Sequence, residues 1–466
     1  MAFPTFPPDI LGEIFCFFVW TWKTKAELIP SPNHGPLLLC QICSTWRNIV
    51  LRMPDLWNAL SIRAKNGHGI SSDKLKELAK LWLQRGRSQP LTLDFHMPEF
   101  NIRAFDGYDA RSNFVQEVLI APLERVIDLN IHSRSKFELY PLFQHPANGV
   151  PQLETLVLII SHGCSSIEPV AVFAKAPKLR RVSIYTGFIS NSLSQFMLPW
   201  KQLTHLYLGG QYLSLKIWLL FLRACTSFQV GIFYVYLIDA YTSNVMILPT
   251  ITSLSLILQN TVFQADLSHL HLPALQNLVL GGPKEGFVVN RLQWNDTTRI
   301  FANQPQLRVL RLVQVLSIEL SDLLSLLRAT PSLVELELRV MTSFLELFDI
   351  LQISIPERED TTDPILPRLE VLIMDMPIYV PDKPWAVRTC QSFSVLVKSR
   401  WKIQENDLSL SKLRSAAFYG SYSCWDICLD EIKTSLCSCV EEGLDLKLGI
   451  MPDGNWHPLG DNGQIE

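Results

Sequence analysis

Charge is what this chain has least of. Asp, Glu, Lys and Arg make up 18% of its 466 residues, against 48% for the apolar types. That balance is poor in charge for an ordinary soluble domain and implies a strongly buried interior or a face covered by a partner. The charges also nearly cancel, 41 Lys and Arg against 44 Asp and Glu, for a net −3. There is no basic footprint for a phosphate backbone, so nucleic acid is excluded as the principal partner. No run approaches the roughly 18 uninterrupted apolar residues of a spanning helix, so no membrane is expected either. The most apolar early stretch, Ile14 to Trp22, is preceded by Asp9 and Glu13 and has its first cation, Lys23, on the wrong side for a secretory leader.

Catalytic signatures are missing too. The chain has no G-x-S-x-G, no phosphate-binding glycine loop, no H-E-x-x-H and no dinucleotide fingerprint. The glycine pairs in "LGGQYL" (208 to 213) and "LGGPKEG" (280 to 286) follow apolar strands and read as turns. Ten cysteines are too few for a disulfide framework in a chain this long, and most sit among apolar neighbours, as at Cys16, Cys40, Cys225 and Cys390. A reducing compartment, cytoplasmic or nuclear, is expected. Cys40 and Cys43 form a C-x-x-C with no second pair nearby. Cys424, Cys428, Cys437 and Cys439, with His457 downstream, lack zinc-site spacing. No metal ligand, cofactor or catalytic residue is assigned; a metal-dependent enzyme built on those last cysteines is the weakest of three functional readings.

What is present is a repeat. "PQLETLVL" (151 to 158), "PKLRRVSI" (177 to 184), "KQLTHLYL" (201 to 208), "PTITSLSL" (249 to 256) and "PALQNLVL" (273 to 280) share L-x-x-L-x-L, as do "PQLRVLRL" (305 to 312), "PSLVELEL" (331 to 338) and "PRLEVLIM" (367 to 374). The last two apolar positions, such as Leu156 and Leu158, alternate and face one side of a short strand. Lead-in residues recur 24 to 36 residues apart, with one gap of 48 that accommodates a degenerate copy, "SFQVGIF" (227 to 233), led by Phe228 with Phe233 buried. Weaker copies stand at "PLERVIDL" (122 to 129), "KLRSAAF" (412 to 418) and "GLDLKL" (443 to 448). Helical spacing fills some gaps, clearest over 214–228 and 321–333.

This pattern resembles the leucine-rich repeat, which implies parallel strands on the concave face of a curved solenoid and helices on its convex face. The family's asparagine is replaced by Ser161, Gly187, Gln211, Gln259, Pro283, Val315 and Met341, which implies an irregular arc. A conventional α/β domain with scattered L-x-L strands is the competing architecture.

Ahead of the repeats, Pro7 and Pro8 suit a first helical turn and Asp9 and Glu13 its positive end. Pro8, Leu11, Phe15 and Phe18 form one stripe and Ile10, Ile14 and Phe17 the next, too wide an apolar arc for one neighbour. A second helix is predicted from Leu37 to Val50, closed by Pro54, Leu56 and Trp57. "FPPDILGEIF" followed by "LLLCQICSTWRNIVLRMPDLW" resembles the F-box of fungal F-box and leucine-rich-repeat proteins, and "LKELAKLWLQRGRSQPLTLDF" (75 to 95) resembles their connecting segment.

The resemblance implies an α/β chain in four parts: an F-box at 1–60, a linker and cap at 61–120, an irregular repeat solenoid at 121–450 and a tail at 451–466. It further implies docking on the Skp-type adaptor of a cullin-RING (SCF-type) ubiquitin ligase through Pro7, Pro8, Ile10, Leu11 and Ile14, with Leu38 and Cys43 in addition. Trp46 and Trp57 then hold the hairpin together. The chain would be a non-catalytic substrate-recognition subunit, and the alternative is a leucine-rich-repeat scaffold acting outside a ligase, its helices only capping the array. Outward strand positions place Arg181, Tyr185, His205, Tyr207, Arg311, Glu335, Glu337, Arg339 and Asp375 on the target-binding face, rich in the Arg and Tyr of binding hot spots. Val157, Val279, Val309 and Ile373 hold equivalent positions, where packing between strands competes. The loop 355–367 and the tail are competing surfaces for the same unknown protein target.

Overall fold

The computed structural model describes residues 6–21, 30–63, 72–97, 113–146, 149–162, 169–186, 196–236, 245–259, 270–282, 290–291, 306–341, 344–353, 364–375, 383–403, 410–420 and 425–449. They form an α/β protein dominated by parallel strand pairing, divided into two compact units, residues 1–211 and 212–466. Among the described residues no helix is long and apolar enough to cross a membrane.

The first unit opens with three helices, α1 (Pro8–Thr21), α2 (Gly35–Ile42) and α3 (Ser44–Arg52). The single helix expected over Leu37 to Val50 is therefore two. Cys43 takes an extended backbone (φ −156°, ψ 169°), and its Sγ accepts the Trp46 N–H at 3.4 Å, capping α3. Cys-Ser-Thr is a run of weak helix formers, and the cap offers the chain a better use for those groups than continuation.

Strands β1 (Ala59–Arg63), β2 (Leu91–His96), β3 (Val126–Ser135), β4 (Thr155–His162), β5 (Arg181–Thr186) and β6 (His205–Ser214) then pair in sequence order, every pairing parallel. Between β1 and β2 runs α4 (Ser72–Arg85). The sheet thus begins at residue 59, inside what the family pattern assigns to F-box and linker: Leu60 and Ile62 occupy the inward positions that Leu93 and Phe95 fill in β2. The copy at 122–129 also enters the sheet two residues later than its proline implies, since Leu129 and Ile131, not Ile127 and Leu129, pair with Leu156 and Leu158.

The second unit holds α5 (Leu215–Ala224), then β7 (Val230–Tyr236), β8 (Ser253–Gln259), β9 (Asn277–Gly281) and β10 (Val309–Ser317). It continues with α6 (Leu320–Arg328), β11 (Glu335–Met341), α7 (Phe344–Leu351) and β12 (Val371–Asp375), and ends with α8 (Lys383–Trp401), β13 (Ser415–Tyr419), α9 (Trp425–Glu441) and β14 (Asp445–Gly449). β7 to β14 pair in parallel, again in sequence order.

One rule builds each rung. The lead-ins Leu153, Leu179, Leu203, Ile251, Leu275, Leu307, Leu333 and Leu369 are all fully buried, as are strand pairs such as Leu310 and Leu312. The residue after a lead-in presents its carbonyl to two N–H groups of the next strand: Gln276 O accepts from Arg308 at 2.8 Å and Val309 at 2.9 Å, and Arg308 O from Val334 and Glu335 at 2.7 and 2.9 Å. Strand spacing and register are fixed together, with the leucines on the covered side.

The degenerate copy obeys the same rule by compensation. Gly231 pairs with Leu254 at the first inward position, and a Cβ there would run into the rings of Phe228 and Phe233, which fill the missing leucine's volume. Gly210 departs from expectation: with φ 90° it lies inside β6, not in a turn, and a Cβ there would run into the Thr186 backbone, so only glycine fits.

Candidate functional site

The three N-terminal helices bury one side and expose another. α1 turns Leu11, Gly12, Phe15 and Val19 inward, with the Phe15 ring centroid 4.8 Å from that of Trp46 and tilted by 55°. A Cβ on Gly12 would come 2.9 Å from Met53 Cε, so glycine lets the helix seat. Trp57, fully buried, donates Nε1–H to Val50 O at 3.0 Å and meets Trp82 edge-on at 4.9 Å, with the Arg85 guanidinium 4.6 Å over its ring. Through Trp82, whose Nε1–H bonds Ala59 O at 2.9 Å, the helices are pinned to β1.

On the other side of α1, Ile10, Ile14 and Phe17 are 46%, 44% and 71% exposed, at i, i+4 and i+7. Phe6 and Ile42 are exposed as well, and so are Pro7, Pro8 and the flanking acids Asp9 and Glu13. Three isoleucine and phenylalanine side chains along one helical stripe form a surface of the kind that partners cover.

Not every residue that the family pattern assigns to the adaptor lies on this stripe. Leu11 is buried, facing the helices' own core because it stands one helical turn before Phe15. Leu38 is half-buried, and Cys43, though exposed, spends its sulfur on the α3 cap. Conversely, Phe17 is the most exposed member of the stripe and is absent from the family-derived set.

The outward strand positions fall in both units. In the first, Arg181 and His205 are register partners, Arg181 and Tyr185 are exposed and His205 is half-buried. Burial and the neighbouring Arg181 hold the His205 imidazole below its usual pKa, and Thr204 Oγ1 lies 2.9 Å from its Nδ1. Tyr207 is not on the surface: it is 1% exposed, because Gly209 two residues on has no side chain and leaves room for the ring to lie down on the strand.

In the second unit β10, β11 and β12 carry a charge cluster. Arg311 Nη2 reaches Glu335 Oε1 at 2.7 Å and its Nε lies 3.5 Å from Glu337 Oε2, while Arg339 pairs with Glu337. Glu337, placed on the binding face by alternation, is buried under these two guanidiniums. Burial, reinforced by Glu337 and opposed by Arg339, pushes the Asp375 carboxyl above the ordinary range. Val157, Val309 and Ile373 are half-buried and Val279 is buried, so part of this face packs between strands.

In α9 Cys437 is exposed and hydrogen-bonded to Glu441 at 3.3 Å while Cys439 is buried, and the Cys428 side chain lies outside the described residues. Cys424, His457, residues 355–363 of the competing loop and the tail 451–466 lie outside the described residues.

One polar group escaped the sequence reading. β2 reads Leu-Asp-Phe-His over 93–96 and β3 reads Leu-Asn-Ile-His over 129–132, and the two segments pair residue for residue. This D-x-H and N-x-H echo was a legible signal, hidden by 36 residues of separation. No protein-family model matches the chain, and no curated protein matches its sequence significantly.

Proposed function

We propose that the chain is the substrate-recognition subunit of an SCF-type ubiquitin ligase, its N-terminal helices an F-box that docks on the Skp-type adaptor. The observation that carries this reading is the apolar stripe Ile10, Ile14 and Phe17, displayed on a helix whose opposite side is already satisfied by Phe15, Trp46 and Met53. The F-box resemblance of the same segment supplies the occupant.

The one-strand-per-repeat parallel ladders support a leucine-rich-repeat solenoid as the target-binding part, with the β10–β12 charge cluster and the Arg181–His205 pair as its polar contacts. Ligase and target would then be held on one chain, raising the effective concentration of acceptor lysines around the recruited enzyme. Catalysis belongs to the recruited subunits, in the cytoplasm or nucleus.

Titration of purified Skp-type adaptor against the full chain tests the docking. Saturable binding that Ile14→Asp removes is expected. Absence of binding by the folded wild-type chain moves the reading to a scaffold outside any ligase.

A further inference from the structure

In the first unit the pair of strands β2 and β3 gathers Asp94, His96 and His132. One ligand atom from each lies within 4.8 Å of the others. Asp94 is 1% exposed, and its carboxylate is held from both sides: Ser61 Oγ donates to Oδ2 at 2.7 Å from β1, and Asn130 Nδ2 donates to Oδ1 at 2.9 Å from β3. His96 Nε2 stands 3.1 Å from the same Oδ1, and the His96 and His132 rings stack at 3.9 Å with 15° between planes. Both imidazoles keep partial exposure, so the group opens to solvent on the histidine side and is closed on the carboxylate side.

We infer that Asp94, His96 and His132 form a binding site for a divalent transition-metal ion of the zinc class. Two imidazoles and one carboxylate are a zinc-type donor set, with ligand bonds of about 2.0–2.2 Å that place the donors about 3.4 Å apart in a tetrahedron. The 3.1 Å separation of His96 Nε2 and Asp94 Oδ1 is already that of two adjacent ligands. The His132 ligand atom lies within 4.8 Å of the other two, and its convergence requires the ring to turn out of its stack on His96.

The surroundings are those of a prepared ligand. Ser61 and Asn130 orient the carboxylate as outer-shell donors do in zinc sites. Asn130 Oδ1 is itself buried with no partner among the described residues, a further oxygen at the edge of the group. Without an ion, Nε2 of His96 is placed to donate its N–H to the Asp94 carboxylate; coordination needs the lone pair there instead, so binding requires the His96 tautomer protonated on Nδ1. Three protein ligands leave one position for water. Imidazole nitrogens favour zinc, copper, nickel and cobalt over magnesium or calcium. None of the three ligands belongs to α1–α3 or to α9.

Chelator-stripped full chain titrated with Zn²⁺ alone and, separately, with Co²⁺ tests the site. One Zn²⁺ per chain is expected, with affinity lowered at least tenfold in His96→Ala and in His132→Ala and unchanged in Cys437→Ser. The Co²⁺ adduct of the wild-type chain should show visible bands of nitrogen and oxygen ligation without a thiolate charge-transfer band, a readout that does not depend on any variant folding. Failure of the wild type to bind stoichiometrically, full affinity in the folded histidine variants, or a thiolate band would each overturn the assignment.

Discussion

Tyr207 lies over Gly209: a Cβ built on the glycine would stand 2.6 Å from Tyr207 Cζ and 3.0 Å from Tyr185 Cδ2. The glycine has therefore taken a binding-type residue off the surface and made it core. Gly209→Ala should destabilise the chain by about 1–3 kcal/mol through overpacking, and Tyr207→Ala by about 3–5 kcal/mol through the cavity left behind. Chemical denaturation of the two variants measures both. A Tyr207→Ala chain as stable as wild type would return the ring to the surface.

The stripe on α1 and its buried side make opposite predictions. Ile14→Asp adds a charge to an exposed position, so the fold should be unchanged while adaptor binding is lost, because a carboxylate has no partner in a dry interface. Leu11→Asp places the same charge inside the helices and should unfold them, losing α-helical circular dichroism along with binding. The pair separates docking from folding: binding that survives Ile14→Asp refutes the docking face, and a folded Leu11→Asp chain contradicts the burial.

How much of this was legible in the sequence follows from the range of the interactions. Strand register was readable because Leu156 and Leu158, or Leu310 and Leu312, repeat with a period of two, and the excess apolar arc of α1 was readable from its own spacing. The break at Cys43 depends on a side chain capping a backbone N–H three residues away, and periodicity does not report that. The burial of Tyr207 depends on what its neighbour lacks. The Asp94, His96 and His132 group depends on β2 and β3 being adjacent and in one register, which local patterns leave open until the pairing is known.

Alternation along β10 gives a stability test of the register. Leu310 is fully buried, so Leu310→Ala should cost about 2–5 kcal/mol. Arg311, one residue on, is 38% exposed and paired to Glu335 and Glu337. Solvent screens that pairing, and Glu337 keeps Arg339, so Arg311→Ala should cost only about 1 kcal/mol. Urea midpoints compare the two directly, and equal losses would mean that the strand faces the other way.

The Asp375 carboxyl gives the charge cluster a pH signature. Burial raises its pKa in the folded chain, with Glu337 adding and Arg339 subtracting. Between the unfolded and folded values the native state then binds more protons than the unfolded state, so this group's contribution to stability falls as pH rises through that window. Above it the ionised carboxylate is a standing penalty. Asp375→Asn keeps the shape and removes the titration, so the variant should be more stable than wild type at pH 7. Its advantage should shrink as pH falls, and vanish where Asp375 is protonated in both states. Thermal melts of the two proteins between pH 7 and pH 3.5 measure the difference. A wild-type chain more stable than Asp375→Asn at pH 7 would mean that Arg339 outweighs burial, with the carboxylate acting as the fifth partner of an ion-pair network that holds β11 to β12.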